Sequence, residues 1–88
     1  MVIRGYYLSG VKDHSFSIPK GAAFLTLVDS GNHPELVFLV EPEGITELRT
    51  FIIVNYMKPT VPEDAEYMGM FISNGKYNLV FEVEKNDS

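Results

Sequence analysis

The chain contains no cysteine, and this absence excludes both a class of chemistry and the usual covalent reinforcement of a small fold. Without thiols there is no disulfide, no thiolate–metal cluster and no cysteine nucleophile. A chain of 88 residues buries only roughly 60–65% of the surface that its unfolded form exposes, so its core is small. Its stability must come from side-chain packing, within one chain or between subunits.

Basic residues are also few. Seven lysines and arginines stand against twelve aspartates and glutamates, which gives a net charge of −5. Binding to a phosphate backbone relies on a broad basic surface, so nucleic acid is disfavoured as a partner. The acidic residues are scattered rather than clustered in runs, which is typical of solvated loops and strand ends and not of a nucleic-acid mimic.

Long apolar segments are missing as well. No window approaches the ~18 apolar residues of a membrane span, and the N-terminal segment has Arg4 and Gly5 where a signal peptide needs an unbroken apolar run. We therefore expect a cytoplasmic protein with no membrane partner. No stretch has the sustained i, i+3, i+4 apolar spacing of an amphipathic helix.

Motifs of catalysis and cofactor binding are absent. His14 and His33 lack the spacing that gives a metal two ligands from one element. No serine lies in a Gly-Xaa-Ser-Xaa-Gly elbow, and the glycines form neither a Walker A nor a dinucleotide fingerprint. Acid pairs such as Glu41 and Glu43 lie in loops with proline, where carboxylates are solvated. The sequence predicts a non-enzymatic protein without cofactor or metal.

The clearest structural signal that is present is Asn74-Gly75, the residue pair favoured by type I′ hairpins because both positions need positive φ. It predicts antiparallel strands over 67–73 and 76–84. The second strand alternates, and we expect its more apolar side to face the core. That predicted core side comprises Tyr77, Leu79, Phe81 and Val83, with Asn78, Val80, Glu82 and Glu84 facing outward.

Proline and glycine divide the rest of the chain into further strands. The predicted strands are 2–9, 14–18, 22–29, 35–40 and 46–57, and the segment 58–66 is a predicted loop with a helical turn beginning at Pro62. The expected fold is all-β, an antiparallel and mostly sequential meander of six or seven strands that forms a small sandwich or barrel. Residues 1–85 form one predicted domain, and 86–88 a disordered end.

Two of these strands are apolar on both sides. In the run Leu36–Val40, one side carries Leu36, Phe38 and Val40 and the other carries Val37 and Leu39. The strand 46–57 has the same property. A single small sheet has one core face, so the second side must lie under another layer, against another subunit or in a ligand cleft. We expect a homo-oligomer, with Val37 and Leu39 at the interface.

The strand 46–57 also carries Arg49, and arginine suits bidentate capture of phosphate or carboxylate. Among apolar neighbours this arginine needs a partner. The partner is either a ligand or a carboxylate across the sheet, with Glu47 and Glu82 as the two candidates. The predicted ligand-binding residues are Arg49, Asn55, Tyr56 and Lys58.

Over most of residues 18–84 the chain resembles a family of small uncharacterised phage and prophage proteins. The pattern comprises a PKGA-type turn, a glycine-to-proline turn before an apolar run, a Val-(Asp/Glu)-Pro end, an arginine-bearing strand and a Tyr-(Ile/Met)-Gly motif. The matching positions are Pro19–Ala22, Gly31–Pro34, Val40–Pro42, Arg49 and Tyr67–Gly69. The chain departs from the pattern at Phe38, where the family tends to have tryptophan, and at 55–62, where it tends to have a Gly-His-Pro turn.

This resemblance implies a context rather than a set of active residues, because the family has no established catalytic residues. Phages often use very small proteins to bind and disable a host factor or a host immune signal. The first hypothesis is an oligomeric protein that sequesters a small anionic ligand, a nucleotide-type immune signal, in the cytoplasm of an infected or lysogenic bacterium. The alternative is an inhibitor that docks an apolar sheet face on a host enzyme.

Overall fold

The computed structural model describes residues 1–10, 12–29, 33–55, 57 and 60–83, and every regular element among them is a strand. The seven strands are β1 (Val2–Tyr7), β2 (His14–Pro19), β3 (Ala23–Val28), β4 (Glu35–Val40), β5 (Thr46–Val54), β6 (Glu66–Ser73) and β7 (Lys76–Val83). The all-β prediction is confirmed. The prediction of a disordered end at 86–88 falls outside the described residues.

The strands form two separate sheets. Sheet A has the order β1-β4-β3 and sheet B the order β2-β5-β7-β6, with all neighbours antiparallel. Of the two predicted forms, this is the sandwich. The predicted sequential order holds only for the hairpins β3–β4 and β6–β7, because the chain crosses repeatedly from one sheet to the other and the remaining pairs join non-consecutive strands.

The β6–β7 hairpin turns where the sequence predicts. Asn74 and Gly75 have φ values of 53° and 72°, the positive pair that a type I′ turn requires. The loop before β6 has the turn that the sequence predicts at Pro62, where the amide of Ala65 donates to the carbonyl of Pro62 at 3.1 Å and closes a single turn. No helix occurs in the described part of the chain.

The core lies between the two sheets and is centred on Phe38. Its ring contacts those of Phe24, Tyr6 and Phe51 at centroid distances of 5.4, 5.8 and 6.2 Å. Alternate residues of β4 point inward, so Leu36, Phe38 and Val40 are fully buried while Val37 and Leu39 are half-buried on the outer side. Inward side chains of β5 complete the centre of the core.

The inward side of β7 is the reverse of the prediction. Asn78 and Val80 are buried and Glu82 is half-buried, whereas Tyr77 is exposed on the outer side. Polar side chains can turn inward when they are hydrogen-bonded, and both Asn78 and Glu82 have partners inside the sandwich. The more apolar side of β7, with Leu79, Phe81 and Val83, therefore faces away from the core.

The two sheets approach each other closely where β6 passes β3. Gly69 has a φ of 143° beside a register shift in β6, and a Cβ built there would lie 3.0 Å from the Cβ of Leu27. Nearby, the amide of Ile72 donates to Oδ2 of Asp29 at 3.2 Å. Glycine is required at this crossing because a side chain would be strained and would meet β3.

Candidate functional site

Arg49 binds a carboxylate of its own chain. Its Nε donates to Oε2 of Glu82 at 2.6 Å and its Nη2 donates to Oε1 at 2.7 Å, a bidentate pair. Its Nη1 donates to the carbonyl of Ala22 at 3.2 Å. Of the two partners that the sequence suggests, Glu82 and not Glu47 forms the ion pair.

The groups around Arg49 favour its charged form. The hydrogen bonds that Arg49 donates to Glu82 raise the pKa of Arg49, while burial acts to lower it; the negative charges of Glu82, Glu47 and Glu66 also raise it. The guanidinium carbon lies 5.0 Å from the centroid of the Phe38 ring, within the range of a cation–π contact. Arg49 thus joins β5 to β7, to the start of β3 and to the centre of sheet A.

A groove of about 930 Å³ opens beside this ion pair. Its charged lining residues are Lys20, Arg49, Glu47, Asp64, Glu66 and Glu82. Carboxylates outnumber cations by four to two, and the cation of Arg49 is already paired. The electrostatics of the groove therefore disfavour an anionic ligand such as a nucleotide.

Asn55 is part of a chain of amide hydrogen bonds at the other end of β5. Its Nδ2 donates to Oδ1 of buried Asn78 at 3.0 Å, and its Oδ1 accepts from the amide of Met57 at 2.8 Å. Nδ2 of Asn78 donates to the carbonyl of Lys76 at 3.0 Å. Asn55 is six residues from Arg49 along an extended strand, a separation of about 20 Å.

The two predicted site residues that the structure describes, Arg49 and Asn55, are therefore not brought together. Arg49 lies in the first half of β5 and Asn55 directly follows its last residue, and each is hydrogen-bonded within the chain. Tyr56 and Lys58, the other two, lie outside the described residues.

His14 is held by backbone groups. Its Nε2 accepts from the amide of Ser9 at 2.9 Å and its Nδ1 donates to the carbonyl of Lys12 at 2.8 Å. Over the described residues, no group of three or more histidine, aspartate or glutamate side chains is arranged to hold a metal ion. The same residues include no helix with the length and apolar character needed to cross a membrane.

The most distinctive surface is the outer side of sheet B, which we name the outer patch. It comprises Leu48, Ile52 and Val54 of β5, Tyr67, Met70 and Ile72 of β6, and Tyr77, Leu79, Phe81 and Val83 of β7. None of these residues is charged. The sequence indicates the β5 part of this surface, since the strand 46–57 is apolar on both sides, but its alternation in β7 wrongly assigns the β7 members to the core.

Five members of the outer patch are exposed, namely Tyr77 at 58%, Tyr67 at 55%, Ile72 at 48%, Leu48 at 44% and Met70 at 41%. Ile52 and Val54 belong to the same side of the sheet but are buried. A large aromatic side chain has about 150–250 Å² to bury, so the patch exposes on the order of 500–600 Å². Such an area is at the upper end of the largest apolar patch on a typical monomer.

The outer side of sheet A is less uniform. It carries exposed Ile3 and Tyr7 beside half-buried Val37 and Leu39. The side chain of Glu35 lies across Gly5 on the same side, where a Cβ would overlap it. The interface predicted at Val37 and Leu39 therefore has a carboxylate within it, unlike the outer patch.

Comparison of the chain with protein-family models, curated proteins and solved structures found no match. The resemblance to small phage proteins stays a prediction.

Proposed function

We propose that this chain is a non-enzymatic binding protein that docks its outer patch on the surface of another protein chain. The observation that carries the proposal is the outer side of sheet B, which is uncharged over the described residues of the outer patch and exposes Tyr67, Met70, Ile72 and Tyr77. Tyrosine and methionine are enriched and charged residues depleted at the centres of protein interfaces. This is the alternative of the two sequence hypotheses, an apolar sheet face that docks on a protein.

The groove supports the first sequence hypothesis less well. Sequestration of an anionic nucleotide requires free cationic or amide groups, but Arg49 is bound to Glu82 and Asn55 to Asn78. The hypothesis remains a prediction. Its test is incubation of the protein with cyclic and ADP-ribose-type nucleotides, followed by heating. If a nucleotide is depleted from solution and then released intact, nucleotide sequestration would be favoured over docking.

The resemblance to phage proteins supplies a biological context for docking. A standard interface takes about 800 Å² from each partner, an area that a chain of this size can supply, and this suits an inhibitor that binds a bacterial host enzyme. We therefore place the docking proposal in the cytoplasm of an infected or lysogenic bacterium.

Substitution within the outer patch tests the proposal. Ile72→Glu places a carboxylate among apolar side chains on the exposed side of β6, and Ile45→Glu is the matched control because Ile45 is 79% exposed and outside the patch. Immobilised wild-type and variant chains are offered a bacterial lysate and, separately, a labelled wild-type copy. We expect Ile72→Glu to lose association that Ile45→Glu keeps. Equal association by both variants in both experiments would refute the proposal.

A further inference from the structure

We propose that the occupant of the outer patch is a second copy of this chain, packed sheet on sheet about a two-fold axis. The inference rests on the proposed function, because it uses the same docking surface and names the partner. Four observations on sheet B support it, concerning charge, the direction of β7, area and the polar margin of the patch.

The charge distribution favours a copy of the chain over an unlike partner. The chain has a net charge of −5, so two copies repel each other through most of their surfaces. The outer patch has no charge, whereas Glu47, Glu66 and Glu82 belong to the opposite side of sheet B or its ends. An uncharged face offers no charge complementarity to select an unlike protein, but it lets two acidic chains meet without like charges in contact.

The orientation of β7 also favours a second copy as the partner. This strand turns Asn78 and Glu82 toward the core and leaves Leu79, Phe81 and Tyr77 on the outer side. A strand of an isolated chain normally has its more apolar side inward. The reversed arrangement is the one expected when the outer side is also buried, in the core of a dimer.

The area of the patch is close to what a stable dimer needs. A standard interface buries about 800 Å² on each partner, and the exposed apolar members supply on the order of 500–600 Å² of this. Residues at the margin supply the rest. The sheet face is formed by four paired strands, and such faces pack on each other at about 10 Å with their strands within about 30° of alignment.

The margin of the patch has the polarity of an interface rim. Ser15 and Ser17 lie beside Leu48 and Thr50 on the outer side of β2, and Oγ of Ser15 is hydrogen-bonded to Oγ1 of Thr50 at 2.9 Å. These hydroxyls satisfy each other and carry no charge. An apolar centre with a small polar margin is the usual composition of a stable interface.

Light scattering tests the dimer directly. At high micromolar concentration the wild type and Ile45→Glu should have twice the 9.9 kDa mass of one chain, and Ile72→Glu should have the mass of one chain with an unchanged circular dichroism spectrum. A wild-type mass of 9.9 kDa, or a doubled mass that folded Ile72→Glu retains, would overturn the inference. If Ile72→Glu does not fold, Tyr77→Lys replaces it because Tyr77 is more exposed and next to the hairpin turn.

A crosslinking experiment identifies the face without introducing a charge into the contact. The chain has no cysteine, so Met70→Cys introduces a single thiol on the outer patch and Ile3→Cys introduces one on sheet A. With a short bis-maleimide in dilute solution, we expect a covalent dimer from Met70→Cys and single chains from Ile3→Cys. A dimer only from Ile3→Cys would overturn the inference and place the contact on sheet A.

The two proposals fail differently. If the wild type alone is a single chain but captures a bacterial protein through a contact that Ile72→Glu abolishes, the docking proposal stands and the dimer does not. If Ile72→Glu abolishes neither self-association nor capture, both fail. If it abolishes self-association alone, the outer patch docks on a second copy and not on a host enzyme, so the dimer stands and the inhibition of a host enzyme through this patch is refuted.

Discussion

Glu66 and Glu82 face each other directly across β6 and β7, and Arg49 binds only Glu82 of the two. Like charges at directly opposed positions of a sheet destabilise it. Here the guanidinium neutralises the half-buried member of the pair, while Glu66 is exposed at the start of β6. The arginine that the sequence marks as a ligand-binding residue thus compensates a repulsion within sheet B.

Replacement of Arg49 is expected to destabilise the fold. Arg49→Met leaves Glu82 half-buried and unpaired opposite Glu66, at an expected cost of about 2–3 kcal/mol in the free energy of unfolding. Urea denaturation measures this change. Lys20→Met, at the same groove, is the control and should change stability by less than about 0.5 kcal/mol.

The double variant Arg49→Met/Glu82→Leu separates pairing from packing. With both charges removed no buried carboxylate is left, so at least half of the lost stability should return. A double variant as unstable as the sum of the two single variants would contradict the ion-pair explanation.

Gly69 should be the least replaceable glycine among those with positive φ. Gly69→Ala combines a disfavoured φ of 143° with a Cβ 3.0 Å from that of Leu27, and we expect a loss of about 2–4 kcal/mol. Gly10→Ala is the matched control, since its φ of 74° is disfavoured but its Cβ meets open space; about 1–2 kcal/mol is expected. Thermal unfolding compares them, and equal losses would show that the contact with β3 does not matter.

The hydroxyl of Tyr6 is buried with no hydrogen-bond partner among the described residues. Tyr6→Phe removes this polar atom and keeps the ring contacts with Phe16 and Phe38. Stability should be unchanged or rise by up to about 1 kcal/mol, as measured by urea denaturation. Tyr7→Phe is the exposed control with no expected effect, and a loss above about 1 kcal/mol in Tyr6→Phe alone would reveal a partner for the hydroxyl.

The amides of Asn55 and Asn78 should behave as one unit. Asn78→Ala opens a small cavity and leaves Asn55 without its acceptor, so we expect a loss of about 2–3 kcal/mol in the free energy of unfolding. Asn55→Ala should cost less because Asn55 is only half-buried. Strictly additive losses in the double variant would argue against the coupling.

Local signals in the sequence predict local structure well. Asn74-Gly75 specifies its own φ values, and the runs around Phe38 and Phe51 become strands because their side chains suit a pleated, buried surface. The pairing of β1 with β4 and of β2 with β5 was not predicted, because no turn connects those strands and only packing across the core selects their register.

The inward side of β7 could not be predicted for a related reason. The number of apolar residues on each side of β7 favours Leu79 and Phe81 as core residues. The inward orientation of Asn78 and Glu82 depends on their hydrogen bonds with Asn55 and Arg49, which are more than 20 residues away in sequence. Arg49 was singled out correctly as a residue that needs a partner, and Glu82 was one of the two carboxylates considered. The outer patch follows from that pairing and not from the composition of β7.

The hydrogen bond from the amide of Ile72 to Asp29 also limits how the molecule can polymerise. β6 is an edge strand, and an edge with free amides is a template on which further chains can be added without end. The carboxylate of Asp29 accepts a hydrogen bond from one of these amides, and the register shift beside Gly69 bends the same edge. Growth of fibrils by strand addition is thereby obstructed along β6. Association through the face of the sheet is still possible, and it ends at two copies because a two-fold contact uses the same surface on both chains.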